Sequence, residues 1–184
     1  MGSASGEISE ESAKKCFRLG EEIALNDCIL ITGGCPGLPY EAIKGAKNKG
    51  GLTVGISPGL SIYEHVYKYH CPLDGHDILI YTGSGLMGRE ITNIRSCDIV
   101  VIVGGRSGTL GEFSIAYDEG RLIGILEGTG GIADHAKEIL NIIDKKTCSQ
   151  VVYSDDPKEL IGSLLRIYDS PEYHASILSW KPAP

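Results

Sequence analysis

Arg89 and Glu112 stand 23 positions apart, and the run Gly104-Gly105-Arg106-Ser107-Gly108-Thr109-Leu110-Gly111-Glu112 closes that interval with four glycines, two hydroxyls and a carboxylate. Closely spaced glycines let backbone N–H groups approach an anion, and a helix starting near Leu110 would aim its positive dipole end at the same point. A phosphate suits such a cradle, with Ser107 and Thr109 adding hydroxyl donors. Arg89 offers a planar fork for charged hydrogen bonds to phosphate or ribose. Glu112 offers a carboxylate that can stabilise a cationic sugar, bind hydroxyls or orient water. Each residue also has a plainer reading. Thr109-Leu110-Gly111-Glu112 is a T-x-x-E capping box, and Arg89 fits a solvated helix face. Spacing alone leaves both readings open.

Two more glycine segments sit where a strand should hand over to a helix, which is where open parallel sheets bind ligands. Gly33-Gly34-Cys35-Pro36-Gly37 is one, and its Gly33, Gly34 and Gly37 join Gly104, Gly105, Ser107, Gly108 and Thr109 as candidate phosphate or nucleotide contacts. Gly83-Ser84-Gly85-Leu86-Met87-Gly88 matches the GxGxxG dinucleotide fingerprint. That fingerprint needs an acidic residue near the end of the next strand, and here Val103 runs into Gly104-Gly105 instead, which argues against NAD or FAD. No GxxxxGK[ST] loop is present, so P-loop nucleotide hydrolysis is disfavoured. His70, Cys71 and His76 lie near one another, but their spacing fits no standard zinc pattern, and no metal is expected.

These loops need elements to hold them. Short apolar runs bounded by Gly, Pro, Asn or Asp alternate with helical periodicity, the pattern of a parallel sheet covered on both faces. Strands are expected at 28–32, 52–57, 78–82, 99–103, 122–126 and 151–153, and helices at 11–26, 39–49, 86–96, 110–119, 132–144 and 157–168. The run 99–103 is apolar throughout, as a strand buried on both faces should be. The last helix opens on Asp156 and Pro157, an N-cap followed by a first-turn proline. The connection 58–77, rich in tyrosine and histidine, is long for this architecture, and reads either as a lid or as a loop covering the sheet end. Residues 171–184 are expected to form an extended tail of a single 184-residue domain.

The chain is long enough for one buried core. Its net charge of −7 and the absence of a Lys/Arg block argue against nucleic acid as a partner. The six cysteines lack a CxxC pair, and neither a signal peptide nor an apolar run of about 18 residues appears, so reduced thiols, a cytoplasmic location and no membrane partner are expected.

Arg89 followed by Gly105-Arg106-Ser107-Gly108-Thr109-Leu110-Gly111-Glu112 resembles the signature of the LONELY GUY family, the nucleotide phosphoribohydrolases long misnamed lysine decarboxylases, and of the related molybdenum cofactor carrier proteins. Thr32-Gly33-Gly34-Cys35-Pro36-Gly37-Leu38 resembles the family's upstream GGGxxGLM segment, so the similarity spans about residues 2–127. It implies a Rossmann-like doubly wound fold, a small phosphorylated ligand and self-association. In the hydrolase branch it implies cleavage of a nucleoside 5′-monophosphate to base and ribose 5-phosphate, with Arg89 and Glu112 as catalytic residues. Glu90, Gly104 and Gly111 depart from the hydrolase pattern, whereas Asn93 and Val103-Gly104 resemble the carriers, which implies a non-catalytic carrier or sensor of a ligand such as molybdenum cofactor. No cofactor is required on either reading, though a bound nucleotide or molybdenum cofactor fits both.

The chain enters its first helix from Met1-Gly2-Ser3-Ala4-Ser5-Gly6 with no strand before it, although such a turn normally follows one. The first strand of the sheet therefore reads as missing, and either a gap or irregular pairing beside 28–32, or another segment filling the slot, is expected.

Overall fold

The computed structural model describes residues 1–4, 6 and 8–179, the last three by backbone alone. Six parallel strands alternate with helices: α1 (Glu10–Leu25), β1 (Leu30–Thr32), α2 (Leu38–Asn48), β2 (Thr53–Ser57), β3 (Ile78–Tyr81), α3 (Gly85–Arg95), β4 (Ile99–Val103), α4 (Ser107–Asp118), β5 (Leu122–Leu126), α5 (Gly131–Ile143), β6 (Gln150–Ser154), α6 (Pro157–Tyr168) and α7 (Pro171–Ser179). This is the α/β, Rossmann-like architecture expected from the alternation of patterns.

Helices cover both faces of the strands. Cys16, Leu19 and Ile23 of α1, Leu38, Ile43 and Ala46 of α2 and Leu160, Ile161 and Leu164 of α6 form one core layer. Ile94, Phe113, Ala116, Ala133 and Ala136 from α3, α4 and α5 form the other, against alternate residues of β4 and β5. Local signals start the helices at their observed ends. Ser9 caps α1 by accepting from the Ser12 amide at 3.1 Å, and Asp156 caps α6 by accepting from the Glu159 amide at 3.0 Å.

The strands fall into two three-stranded sheets, β1-β2-β3 and β4-β5-β6. Between β1 and β4 lies the irregularity expected beside 28–32. Among the described residues, Gly2 forms one isolated bridge to β4, at Val103, flanked by the Val103 amide donating to the Met1 carbonyl at 2.9 Å. A cavity of about 440 Å³ fills the rest of that slot, lined by aliphatic side chains of β1, β4, α1 and α6.

The slot changes the burial order. All five residues of β5 are buried, whereas Ile99 and Val101 of β4 are only half-buried because β4 lacks a full neighbour on one side. The middle and fully buried strand of this half is thus β5. The tail also differs from expectation, since 171–179 is helical rather than extended. Pro171 starts α7 and Tyr173 docks into the core beside Tyr168 at 2% exposure. Residues 180–184 lie outside the described residues.

Within the long connection, residues Glu64–Lys68 form a short π-type helical turn held by a buried histidine. The His65 ring contacts Ser57 Oγ at 2.8 Å and the Pro72 carbonyl at 3.0 Å, tying the connection to the end of β2.

Candidate phosphate and ligand site

The site forms at the carboxyl ends of β1 and β4. Helix α4 begins at Ser107, three residues before the expected start, with Arg106 as its N-cap and no side-chain cap bond. Thr109 is therefore the third helical residue, which removes the capping-box reading of Glu112: a capping box needs Thr109 outside the helix. The Leu110 amide donates to the Arg106 carbonyl at 2.9 Å and closes the first turn. The amides of Ser107, Gly108 and Thr109 precede it, and they are the first-turn donors a helix leaves open.

Gly104 and Gly105 play a different part. Their φ angles of 56° and 109° lie in the left-handed region, which lets the chain turn sharply off β4. The Gly104 amide donates to Thr129 Oγ1 at 2.8 Å and the Gly105 amide to Ser3 Oγ at 2.7 Å. These amides are already engaged, so the two glycines shape the start of α4 rather than offering it donors. Ser3 also accepts the Leu38 amide at its carbonyl, 2.9 Å away, and so links the starts of α2 and α4.

Arg89 projects from α3 into this space and is 8% exposed. A Cβ on Gly33 would fall on its guanidinium, so Gly33 provides the seat for Arg89 by close approach. Nη1 lies 3.8 Å from Glu112 Oε1, a Coulombic contact beyond hydrogen-bond range, and both Nη1 and Nε lack a hydrogen-bond partner. Nη2 lies 3.8 Å from Cys35 Sγ. A buried guanidinium with two unmet donors is costly unless something else meets them.

Two carboxyl groups crowd the same corner. Burial raises the pKa of Glu112, partly offset by the N-terminal ammonium and then by Arg89. Glu90 is pushed up to about 7, first by burial and then by the Glu112 charge. Its carboxyl lies over the first turns of α4, 3.4 Å from where a Cβ on Gly108 or Gly111 would stand. Near neutral pH a large share of Glu90 is therefore uncharged, which lowers the repulsion an anion would meet at this helix end.

Together these groups enclose a pocket of about 360 Å³. Of the residues singled out in the sequence, Gly33, Arg89, Ser107, Gly108, Thr109 and Glu112 line it. Gly34, Gly37, Gly104 and Gly105 stand behind the wall: Gly34 packs toward His65, and Gly37 is pressed against Ser3 and Ala4. The pocket also takes in Ser3, Cys35, Glu90 and Arg106, which sequence reasoning did not select. The Gly2-Ser3 turn was the available signal for Ser3. Cys35 had a weaker one, its place inside a glycine segment. Cys71 of the suspected metal trio faces Cys35, while His76 stacks near Tyr40 with ring centroids 6.4 Å apart.

Residues 1–161 match the SLOG cluster4 family over most of the chain. The chain belongs to the SLOG cluster4 family. A relative from Archaeoglobus fulgidus, described as an uncharacterized protein, is 38% identical over 122 residues, covering 66% of this chain and 75% of its own. The molybdenum cofactor binding protein from the phototrophic bacterium Rippkaea orientalis is similar in structure, with a TM-score of 0.72 at 30% identity over 90% of this chain and 94% of that one. The molybdenum cofactor carrier protein from Chlamydomonas reinhardtii matches equally, with a TM-score of 0.72, 30% identity and the same coverage. This cluster4 chain thus shares its fold with a molybdenum cofactor binding protein and a molybdenum cofactor carrier protein over 90% of its length. Among its described residues, no helix is long and apolar enough to cross a membrane.

Proposed function

We propose that this chain is a binding protein for a small phosphorylated, nucleotide-like ligand, acting as a carrier or sensor, with molybdenum cofactor as the leading ligand class. The observation that carries the reading is Arg89: a buried cation with unmet donors, facing a pocket into which the uncapped start of α4 also opens. A phosphate at that point would accept from the Ser107, Gly108 and Thr109 amides and neutralise the helix end. Arg89 would meet a second oxygen or a sugar hydroxyl. A volume of about 360 Å³ suits a small cofactor. The two structural relatives, one a molybdenum cofactor binding protein and the other a molybdenum cofactor carrier protein, support this side of the reading.

Titration calorimetry with adenosine monophosphate, inorganic phosphate and ribose tests the site. The nucleotide should bind most tightly, and Arg89→Met should weaken it by about 10- to 100-fold, the value of one charge-assisted hydrogen-bond pair. Equal affinity in wild type and Arg89→Met would overturn the assignment. Metal analysis and mass spectrometry of the protein as purified then ask whether molybdenum and a pterin accompany it.

A second reading, phosphoribohydrolase activity, is favoured by Glu112 lying beside Arg89 with its pKa raised, as a general acid or ribose-side carboxyl requires. Glu90 stands where such hydrolases carry lysine, which weighs against it. A chromatographic screen of nucleoside monophosphates for released base separates the two. Release that depends on Glu112 favours the hydrolase, and none from any of them favours the carrier.

A further inference from the structure

We propose that Cys35 and Cys71 are a modification site: a thiol pair at the edge of the ligand pocket that a peroxide converts to a disulfide.

The two residues lie 36 positions apart with no CxxC pattern, yet the Cys71 thiol donates to Cys35 Sγ across 3.2 Å. Both ends are fixed. Cys35 follows β1 inside the glycine segment, and the Cys71 amide donates to the His65 carbonyl at 3.0 Å, on the turn that His65 anchors to Ser57 and Pro72. The sulfurs need only approach from 3.2 Å to the ~2 Å of a covalent bond.

The chemistry at the two sulfurs is unequal in the way thiol oxidation requires. The hydrogen bond from Cys71 and the nearby Arg89 cation favour the Cys35 thiolate against the effect of burial, bringing it down to about 7. Burial drives Cys16 the other way, to about 12, and raises Cys28 and Cys97 as well. Cys71 is held as the protonated partner by its bond to Cys35. Cys35 also lines the pocket, so a small uncharged oxidant reaches it, while Cys71 waits behind as the resolving thiol.

The steps balance. The Cys35 thiolate attacks one oxygen of hydrogen peroxide, the O–O bond breaks, and Cys35 sulfenic acid and hydroxide form. Loss of the thiolate charge releases the Cys71 proton, its sulfur attacks the sulfenyl sulfur, and water leaves. Two thiols have been oxidised by two electrons, and one peroxide has become two waters. If the proposed ligand site holds, oxidation also removes the anionic neighbour 3.8 Å from Arg89, so the disulfide form should bind anions more tightly.

The test reads thiols and not ligand, so it stands or falls apart from the proposed function. Native protein is treated with hydrogen peroxide, unfolded, and titrated for free thiols, followed by peptide mass mapping. The count should fall from six to four, with one linked peptide pair containing Cys35 and Cys71, and dithiothreitol should restore it. In Cys71→Ser the disulfide should be absent and dimedone should label Cys35. Full alkylation of Cys35 and Cys71 after peroxide, or first loss at the half-buried Cys28, Cys97 or Cys148, would overturn the proposal. The wild-type map decides the matter by itself should the variant fold poorly.

Discussion

Replacing Glu90 with glutamine should stabilise the protein at pH 8 and leave it nearly unchanged at pH 4.5. Glu90 is 6% exposed and its carboxyl is pushed from an ordinary 4.5 to about 7 by burial, with the Glu112 charge adding and Arg89 opposing. The sign follows from proton binding. Below about 4.5 the group is protonated whether the chain is folded or not, so it contributes nothing. Between 4.5 and 7 the unfolded chain has released its proton and the folded one has kept it, so stability falls as pH rises. Above 7 the loss is complete, at about 3 kcal/mol for a shift of this size. Glutamine keeps the shape and carries no charge, so the variant escapes that loss. Urea unfolding of both proteins at the two pH values measures it, and a gain of about 1 M in midpoint at pH 8 corresponds to the expected energy. Glu112 titrates in the same direction in both proteins and leaves the comparison intact. An equal midpoint difference at both pH values, or a loss at pH 8, would refute the burial argument. The same titration should weaken anion binding as pH rises through 7.

Gly33→Ala should displace the Arg89 guanidinium without removing it and so lower nucleotide affinity at least 10-fold, as read by calorimetry, while Gly162→Ala, on α6 with open space around it, should leave affinity unchanged. Ser3→Ala leaves the Gly105 amide without its partner and should cost about 1–3 kcal/mol in urea unfolding. The exposed apolar side chains Leu60, Ile62, Tyr67, Ile78, Ile80 and Met87, on the edge strand β3 and its neighbours, should make the protein self-associate. Light scattering at micromolar concentration should report a dimer or larger, and Ile80→Lys should shift it toward monomer.

The sequence carried most of the elements, because each strand is short, apolar and flanked by turn residues, and helix α6 has both its cap and its proline in place. It misplaced the start of α4, where glycines at 104, 105, 108 and 111 blur the helical signal and the true boundary depends on Ser3 and Thr129 holding two amides. It missed α7, whose docking depends on Tyr173 finding Tyr168 rather than on local pattern. Arg89, Glu112 and the α4 start were legible because chemistry and spacing coincide there. Ser3 and Cys35 carry weak local signals, and it is tertiary contact that brings them and Glu90 to the site, as it does the Cys35–Cys71 pair.

The slot between the two half-sheets also bears on how the molecule breathes. Gly33 and Cys35 belong to the half that contains β1, while Ser107 through Glu112 belong to the half that contains β4, and among the described residues no strand pairing joins β1 to β4, the Gly2 bridge reaching β4 alone. Each half is thus a candidate cooperative unit, with opening along the slot as the lowest-energy way to expose protected amides. A ligand seated on both would act as a clasp. Its occupancy should appear first as slowed hydrogen exchange at Ile31 and Ile99 to Val101, strand amides that do not line the pocket themselves.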